Sequence, residues 1–284
     1  YLLAQLLQAG QPTLSDGTID YVAAINQRLS QGVTTDNNAA VILLQVFEPT
    51  GKVPEELAAL GVKQPALAQP MRSLPHFAQD QHLDVTHAAL GNQEMEARQR
   101  PWKDEEFPAI AAWLDANKAG LALSRTGADR PRYFVPWVPD AQGDNVLSAL
   151  PSTVSLMDDR DVLLCAAMRS AGAKDVAAAL ADLRQVRKLG ELETQGRTEI
   201  SVLVGKAASD AAWKAYAAMV TKMSLTDEQL AAVRRELEDR TIDPPARPPI
   251  DVEYLLAPAT VMSCIAGDAQ PFLRALALVF MPDE

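Results

Sequence analysis

Histidine, cysteine and aromatic residues are all scarce in this chain, and each scarcity removes a class of chemistry. Three His and two Cys leave little material for metal sites built on nitrogen and sulfur, since a closed structural zinc site takes four ligands. No CxxC pair occurs, which removes the zinc-ribbon and thioredoxin-like patterns. No apolar run reaches the roughly 18 residues of a membrane-spanning helix: YLLAQLLQAG at the start is too short, and FLRALALVF near the end carries Arg274. Runs of five or more Lys/Arg are missing too, and with 26 Lys and Arg against 37 Asp and Glu the net charge is −11. A field of that sign repels phosphate backbones, so no nucleic-acid partner is expected. The GxSxG nucleophile elbow and the glycine-rich phosphate loop are also absent.

What is present is alanine and leucine, 47 and 35 of 284 residues, and such a chain favours helices. The expected fold is mainly α, with stacked antiparallel helices in a solenoid-like or irregular bundle. It falls into two parts, 1–150 and 151–284. Apolar residues recur at helical spacing from Thr18 to Leu29, with Gly32 behind. A second helix is expected after Asp36, with an almost wholly apolar and therefore buried body from Ala39 to Phe47. VPEELAALGV is a third, and the stretch from His76 to Gln99 a fourth. In DEEFPAIAAWLDANKAG, acids and Pro108 stand at the front and Gly120 behind. Leu121 to Leu123 and the run Tyr133 to Val138 read as a small β element near 121–138, with Pro136 placing it at an edge.

From Thr153 onward the pattern is helical throughout. Helices are expected up to Gly172, from Val176 almost to Gly196, and from Thr198 to Met223. The last puts Ile200, Leu203, Val204, Ala207, Ala211, Ala215 and Ala218 on one face for close packing. Thr226 and Gln229 match a capping box, with Leu225 and Leu230 as its hydrophobic staple. DPPARPPID at 243–251 is a stiff connector before two final helices containing Phe272, Leu276 and Phe280.

The chemical candidates are few. His76, His82 and His87 share one window, but His82 and His87 are five apart and point about 140° from each other on a helix, so no metal and no cofactor is expected. Cys165 and Cys264 lie in apolar contexts where a thiol acts as a small core residue. Asp158, Asp159 and Asp161, and separately Glu105 and Glu106, read as helix-front acids. The remaining candidate is an interaction surface made of Trp102, Arg130, Arg132, Tyr133 and Trp137, the composition of interface hot spots. Against it stands a core plug between the two halves; that reading suits Tyr133 and Phe134, whereas Trp137, between Pro136 and Pro139, is expected to be exposed. An unpaired edge here could accept a partner strand.

DNNAAVILLQVFEP, FPAIAAWLDANKAGLAL, RPRYFVPWV and the long block from AALADLRQVRKLGELETQG to LTDEQL resemble, in that order, blocks of an uncharacterised bacterial all-helical family. The resemblance implies a helical fold and an extracytoplasmic or membrane-tethered location, with a tether upstream of the visible chain. The numbering opens at Tyr1 rather than Met, which fits a processed chain. It carries no activity and no catalytic residue. The functional expectation is a non-enzymatic helical scaffold or interaction module binding protein or peptide. The alternative is a hydrolase on carbohydrate or peptide, using carboxylates brought together by the fold.

Overall fold

A computed structural model describes residues 12–242 apart from 14, 16, 18, 48–52, 64–68, 140–148, 150, 152 and 153. The connector, Cys264 and the two final helices read from the sequence lie outside the described residues, and so does any link to what precedes residue 12.

Eleven helices occur among the described residues: α1 Tyr21–Leu29, α2 Ala40–Leu43, α3 Val53–Ala59, α4 Leu74–Asp80, α5 His87–Gln99, α6 Pro108–Ala116, α7 Lys118–Ala128, α8 Val154–Gly172, α9 Val176–Thr194, α10 Glu199–Lys222 and α11 Asp227–Glu238. The mainly helical class is therefore as the sequence indicates. Caps explain several boundaries. Asp20, Thr86 and Asp175 accept from backbone N–H groups three residues on, and Thr226 and Gln229 close the expected capping box reciprocally. Of its assigned staple, Leu225 packs on the core while Leu230 is 41% exposed.

The C-terminal half sets the frame. Turns of only a few residues, containing left-handed Lys174 and Arg197, join α8 to α9 and α9 to α10, so the three run antiparallel. Helix α9 is central and buried nearly all round, from Val176 to Thr194. It packs on α8 and α10, while α7 and α11 also touch it. One apolar cluster runs from Ala39 to Val233 and draws on both sides of residue 150.

Four local expectations need correction. Leu121 to Ala128 are helical in α7, because Gly120 does not end a helix there; it lets α7 lie against the Met71 side chain. The β element reduces to an extended run after Ala128, with a single bridge from Asn38 to Arg132. The helix after Asp36 is only the one-turn α2, whose first N–H, that of Ala40, is accepted by the Asn38 side chain rather than by Asp36, although its apolar body is buried as expected. The stretch from His76 is broken into α4 and α5 at His82, whose φ is +50°.

The face of α10 is also rotated from the one read in the sequence. Val202, Gly205, Ala208, Ser209, Ala212, Ala215, Tyr216 and Met219 are buried, whereas Leu203 is 60% exposed and Ala207 is exposed. The cause is a backbone-to-backbone crossing. A Cβ on Gly190 would stand 2.5 Å from the Gly205 carbonyl oxygen, so two glycines fix which side of α10 meets α9.

Candidate functional site

Pro131, Pro136 and Pro139 punctuate the extended segment 131–139 and deprive it of ladder donors. Side-chain amides from three other parts of the chain replace a partner strand. Asn38 donates to the Phe134 carbonyl (2.8 Å) and accepts the Phe134 N–H (2.9 Å). Asn26 of α1 does the same at Trp137, at 2.9 and 2.8 Å. On the other side, Gln195 accepts from the Tyr133 N–H at 2.9 Å and donates to the Pro131 carbonyl at 3.1 Å.

These contacts place the surface candidates. Tyr133 is 8% exposed, Trp137 3% and Trp102 1%. The exposure expected for Trp137 is thus incorrect: its flanking prolines do bar it from a ladder, but Asn26 satisfies its backbone inside the fold. Arg130 donates to the carbonyls of Thr35 and Asn38, and Arg132 to that of Gln31, so both guanidiniums tie the segment to the loop before α2. Trp102 lies apart from them, edge-on to Phe107 at 5.6 Å. Four of the five candidates are brought together, yet as a clamped interior segment rather than an aromatic surface, and the edge offered to a partner strand is occupied.

Three acids are enclosed in the interior, of which the sequence reading named only Asp159, as a helix-front acid. Glu56 of α3, Asp159 of α8 and Glu193 of α9 are 1%, 0% and 4% exposed. Asp159 accepts from the Ser124 hydroxyl at 2.9 Å. Its other oxygen, and Oε2 of Glu193, have no hydrogen-bond partner among the described residues. Burial drives the Asp159 carboxyl far above its ordinary range, against the Ser124 bond, with the charge of Asp158 adding to the rise. Burial alone lifts Glu193 to about 8, so burial favours the neutral form of both carboxyls. The Tyr133 phenol is raised by its own burial and then by Glu193, Glu56 and Asp159, which places it among them. One signal was available: Glu193 continues the apolar row Val186, Leu189 at helical spacing.

The other two buried ions of α9 are paired. Asp182 receives two bonds from Arg125 of α7, at 2.6 and 3.0 Å, yet burial outweighs them and holds its carboxyl above the usual range. Arg187 donates to the carbonyls of Glu236 and Asp239, closing the C-terminus of α11, and its guanidinium lies 5.0 Å from the Trp213 ring centre.

A second acidic group opens to solvent between α5 and α8. Asp161 pairs with both Arg98 and Arg160. Desolvation first, then Asp161 and Glu94, raise Asp158 to about 6; desolvation likewise raises Glu94, against the lowering effect of Arg98. The helix-front reading of these Asp residues is incorrect, since α8 begins at Val154 and has no acid in its first turn. Glu106 does not front α6 either; it accepts from the Lys103 N–H and pairs with Arg100. A cleft of about 240 Å³ between α6, α7 and α8 is lined by Leu114, Lys118, Arg125 and Arg169 among others. Arg169 is saturated there by Asp104 and Asp115.

All three His are exposed, and among the described residues no three His, Cys, Asp or Glu are placed to hold a metal ion. Cys165 is a free, buried thiol, and burial raises it well above an ordinary thiol, which makes it a poor nucleophile. No helix among the described residues is long and apolar enough to cross a membrane. Comparison with protein-family models, with curated proteins and with solved structures finds no match to the chain.

Proposed function

We propose that the chain is a non-enzymatic helical interaction module that binds a protein or peptide partner, working on the extracytoplasmic side of a bacterial membrane. The location rests on the resemblance described above. The binding role rests on one observation: α10 turns an apolar stripe outward, with Leu203 60% exposed, Ala207 exposed, and Val204 and Ala211 partly covered beside them. Such a row at helical spacing is what a helical partner or groove engages. A photo-crosslinking residue at Ala207, introduced in the native cells, is expected to capture one discrete partner. The same residue at exposed Lys174 should not, and Leu203→Glu should abolish the Ala207 adduct. Identical adducts at both positions, or none at Ala207, would refute the role.

A second reading, hydrolysis of a carbohydrate or peptide, is favoured by a different observation. Glu94 and Asp158 are carboxyls with raised pKa on facing helices, as an acid and base pair requires. It expects turnover of a chromogenic glycoside or peptide that Asp158→Asn and Glu94→Gln each abolish without changing the circular dichroism spectrum. Absence of turnover by the wild-type protein across such a panel removes it.

A further inference from the structure

We propose that the cleft between α6, α7 and α8 binds a small aliphatic carboxylate, with the charged end on Arg125 and the chain against Leu114, Leu121 and Ala166.

The hydrogen-bonding groups of the cleft decide the sign of the ligand. Asp115 is the acid on its wall, and that carboxylate already receives Arg169 at 2.8 and 3.2 Å and the Lys118 ammonium at 3.3 Å. Acceptor capacity there is taken. Arg169 is likewise spent, its remaining bonds going to Asp104 at 2.7 Å. Arg125 differs from both. Asp182 takes only the edge formed by Nε and Nη2, at 2.6 and 3.0 Å, so both hydrogens of Nη1 and one of Nη2 have no hydrogen bond among the described residues. That second edge matches the two oxygens of a carboxylate as the first matches Asp182.

Arg125 is also held in position. The Asp182 side chain is 3% exposed and that of Arg125 41%, so a buried carboxylate fixes the guanidinium plane while the rest of the side chain stays open on the cleft it lines. Ser170 adds a rim hydroxyl that makes no hydrogen bond among the described residues. Counted with their partners, Arg125, Lys118 and Arg169 balance Asp182, Asp115 and Asp104. Recognition therefore comes from directed N–H groups rather than from a positive field.

The walls set the rest of the ligand. Leu114, Leu121 and Ala166 are apolar and nearly enclosed, so hydroxyls of a sugar acid would lie unpaired against them. The volume of about 240 Å³ falls below the roughly 300 to 1,000 Å³ of sites for drug-sized ligands, which limits the chain to a few carbons. No residue of α10 and neither Glu94 nor Asp158 lines the cleft. The site thus stands apart from both readings given above.

Isothermal titration calorimetry of the intact chain with isovalerate, acetate and isovaleramide at one ionic strength tests this. Isovalerate is expected to bind one per chain, about tenfold or more tighter than acetate, which lacks the branched chain, and than the amide, which lacks the charge. Arg125→Lys keeps a cation for Asp182 but has no second edge, and should weaken isovalerate about tenfold or more. Ser170→Leu is the second variant; at a partly exposed position it fills the cleft and should weaken isovalerate while leaving the Arg125–Asp182 pair in place. No binding by the wild type, equal affinity for acetate or the amide, or unchanged affinity in either folded variant would each overturn the proposal.

Discussion

Replacing Gly190 by Ala tests whether the α9–α10 crossing fixes the bundle. In an open helix position the change is favourable: Gly91 of α5, whose added Cβ meets nothing within 4 Å, is expected to gain about 1 kcal/mol as Ala from helix propensity. At Gly190 the same methyl would meet the Gly205 carbonyl oxygen at 2.5 Å and the Ser209 hydroxyl at 3.0 Å. Ser209 can rotate; the Gly205 backbone cannot. The two helices must then part by several tenths of an ångström along a contact that buries Leu189, Leu192, Ala212 and Met219. Overpacking of this kind costs about 1 to 3 kcal/mol, towards the upper figure where backbone blocks relaxation. Subtracting the propensity gain leaves a net loss of about 2 kcal/mol, or about 4 to 8 °C in Tm for a chain of this size. Urea unfolding of Gly91→Ala and Gly190→Ala side by side should move the midpoint in opposite directions. Gly205→Ala faces the Gly190 carbonyl from the other side, so the double variant should lose less than the sum of the two, one separation relieving both clashes. A Gly190→Ala protein as stable as wild type would show that the crossing tolerates a Cβ and that the glycines do not set the packing face.

Three further outcomes follow from buried groups. Trp137→Ala should cost about 3 to 5 kcal/mol in chemical denaturation, the usual loss for truncating an enclosed large aromatic; a loss under about 1 kcal/mol would contradict its 3% exposure. Wild-type unfolding free energy should fall as pH rises from about 5 to 8, by about 1.4 kcal/mol per pH unit for each proton that the folded state holds and the unfolded chain has released, with Glu193 and Asp159 both contributing. Glu193→Gln should flatten that profile, and an equally steep one in the variant would assign the slope to another group. Arg125→Met should lose about 2 to 3 kcal/mol by stripping Asp182, 2% exposed, of two charged hydrogen bonds; the double change with Asp182→Leu should recover part of it, and failure to recover would mean that packing rather than charge carries the loss.

The legible part of the fold is the part where strong local signals agree. Thr198 and Met223 bound α10 as read, and the Thr226–Gln229 box opens α11, because caps act within a few residues and need no tertiary partner. The misread parts are those decided at a distance. Gly120 ends a helical pattern in sequence but sits within α7, where the space for its missing side chain is taken by Met71 from another element. In α10, alanine occurs on every side, so periodicity offers no contrast, and only the Gly205 and Ser209 contacts with α9 tell inner face from outer. At the candidate site, the clustering of Arg130, Arg132, Tyr133 and Trp137 was visible, but their burial was not, since it depends on Asn26, Asn38 and Gln195, each far along the chain. Glu193 was overlooked because a Glu in an otherwise amphipathic helix reads as solvated unless its position on the apolar row is given weight.

That dependence on single amides also explains why an extended segment crosses a helical bundle without forming a sheet. A strand ladder would need a second strand with donors and acceptors in register, and three prolines in nine residues leave too few N–H groups to match one. A side-chain amide offers one donor group and one acceptor on a movable stem, so Asn38 and Asn26 can each serve one residue, at Phe134 and Trp137, without any register between them. The backbone groups they serve are satisfied as a ladder would satisfy them, but the bonds are independent rather than cooperative. Only at Arg132 does the backbone itself pair, with Asn37 and Ala39, and the Arg130 and Arg132 guanidiniums add bonds to the loop before α2. The helices around it are fastened to one another by the α9–α10 crossing and by the Arg125–Asp182 and Arg187 contacts, so the segment is added to a bundle whose helices already hold one another.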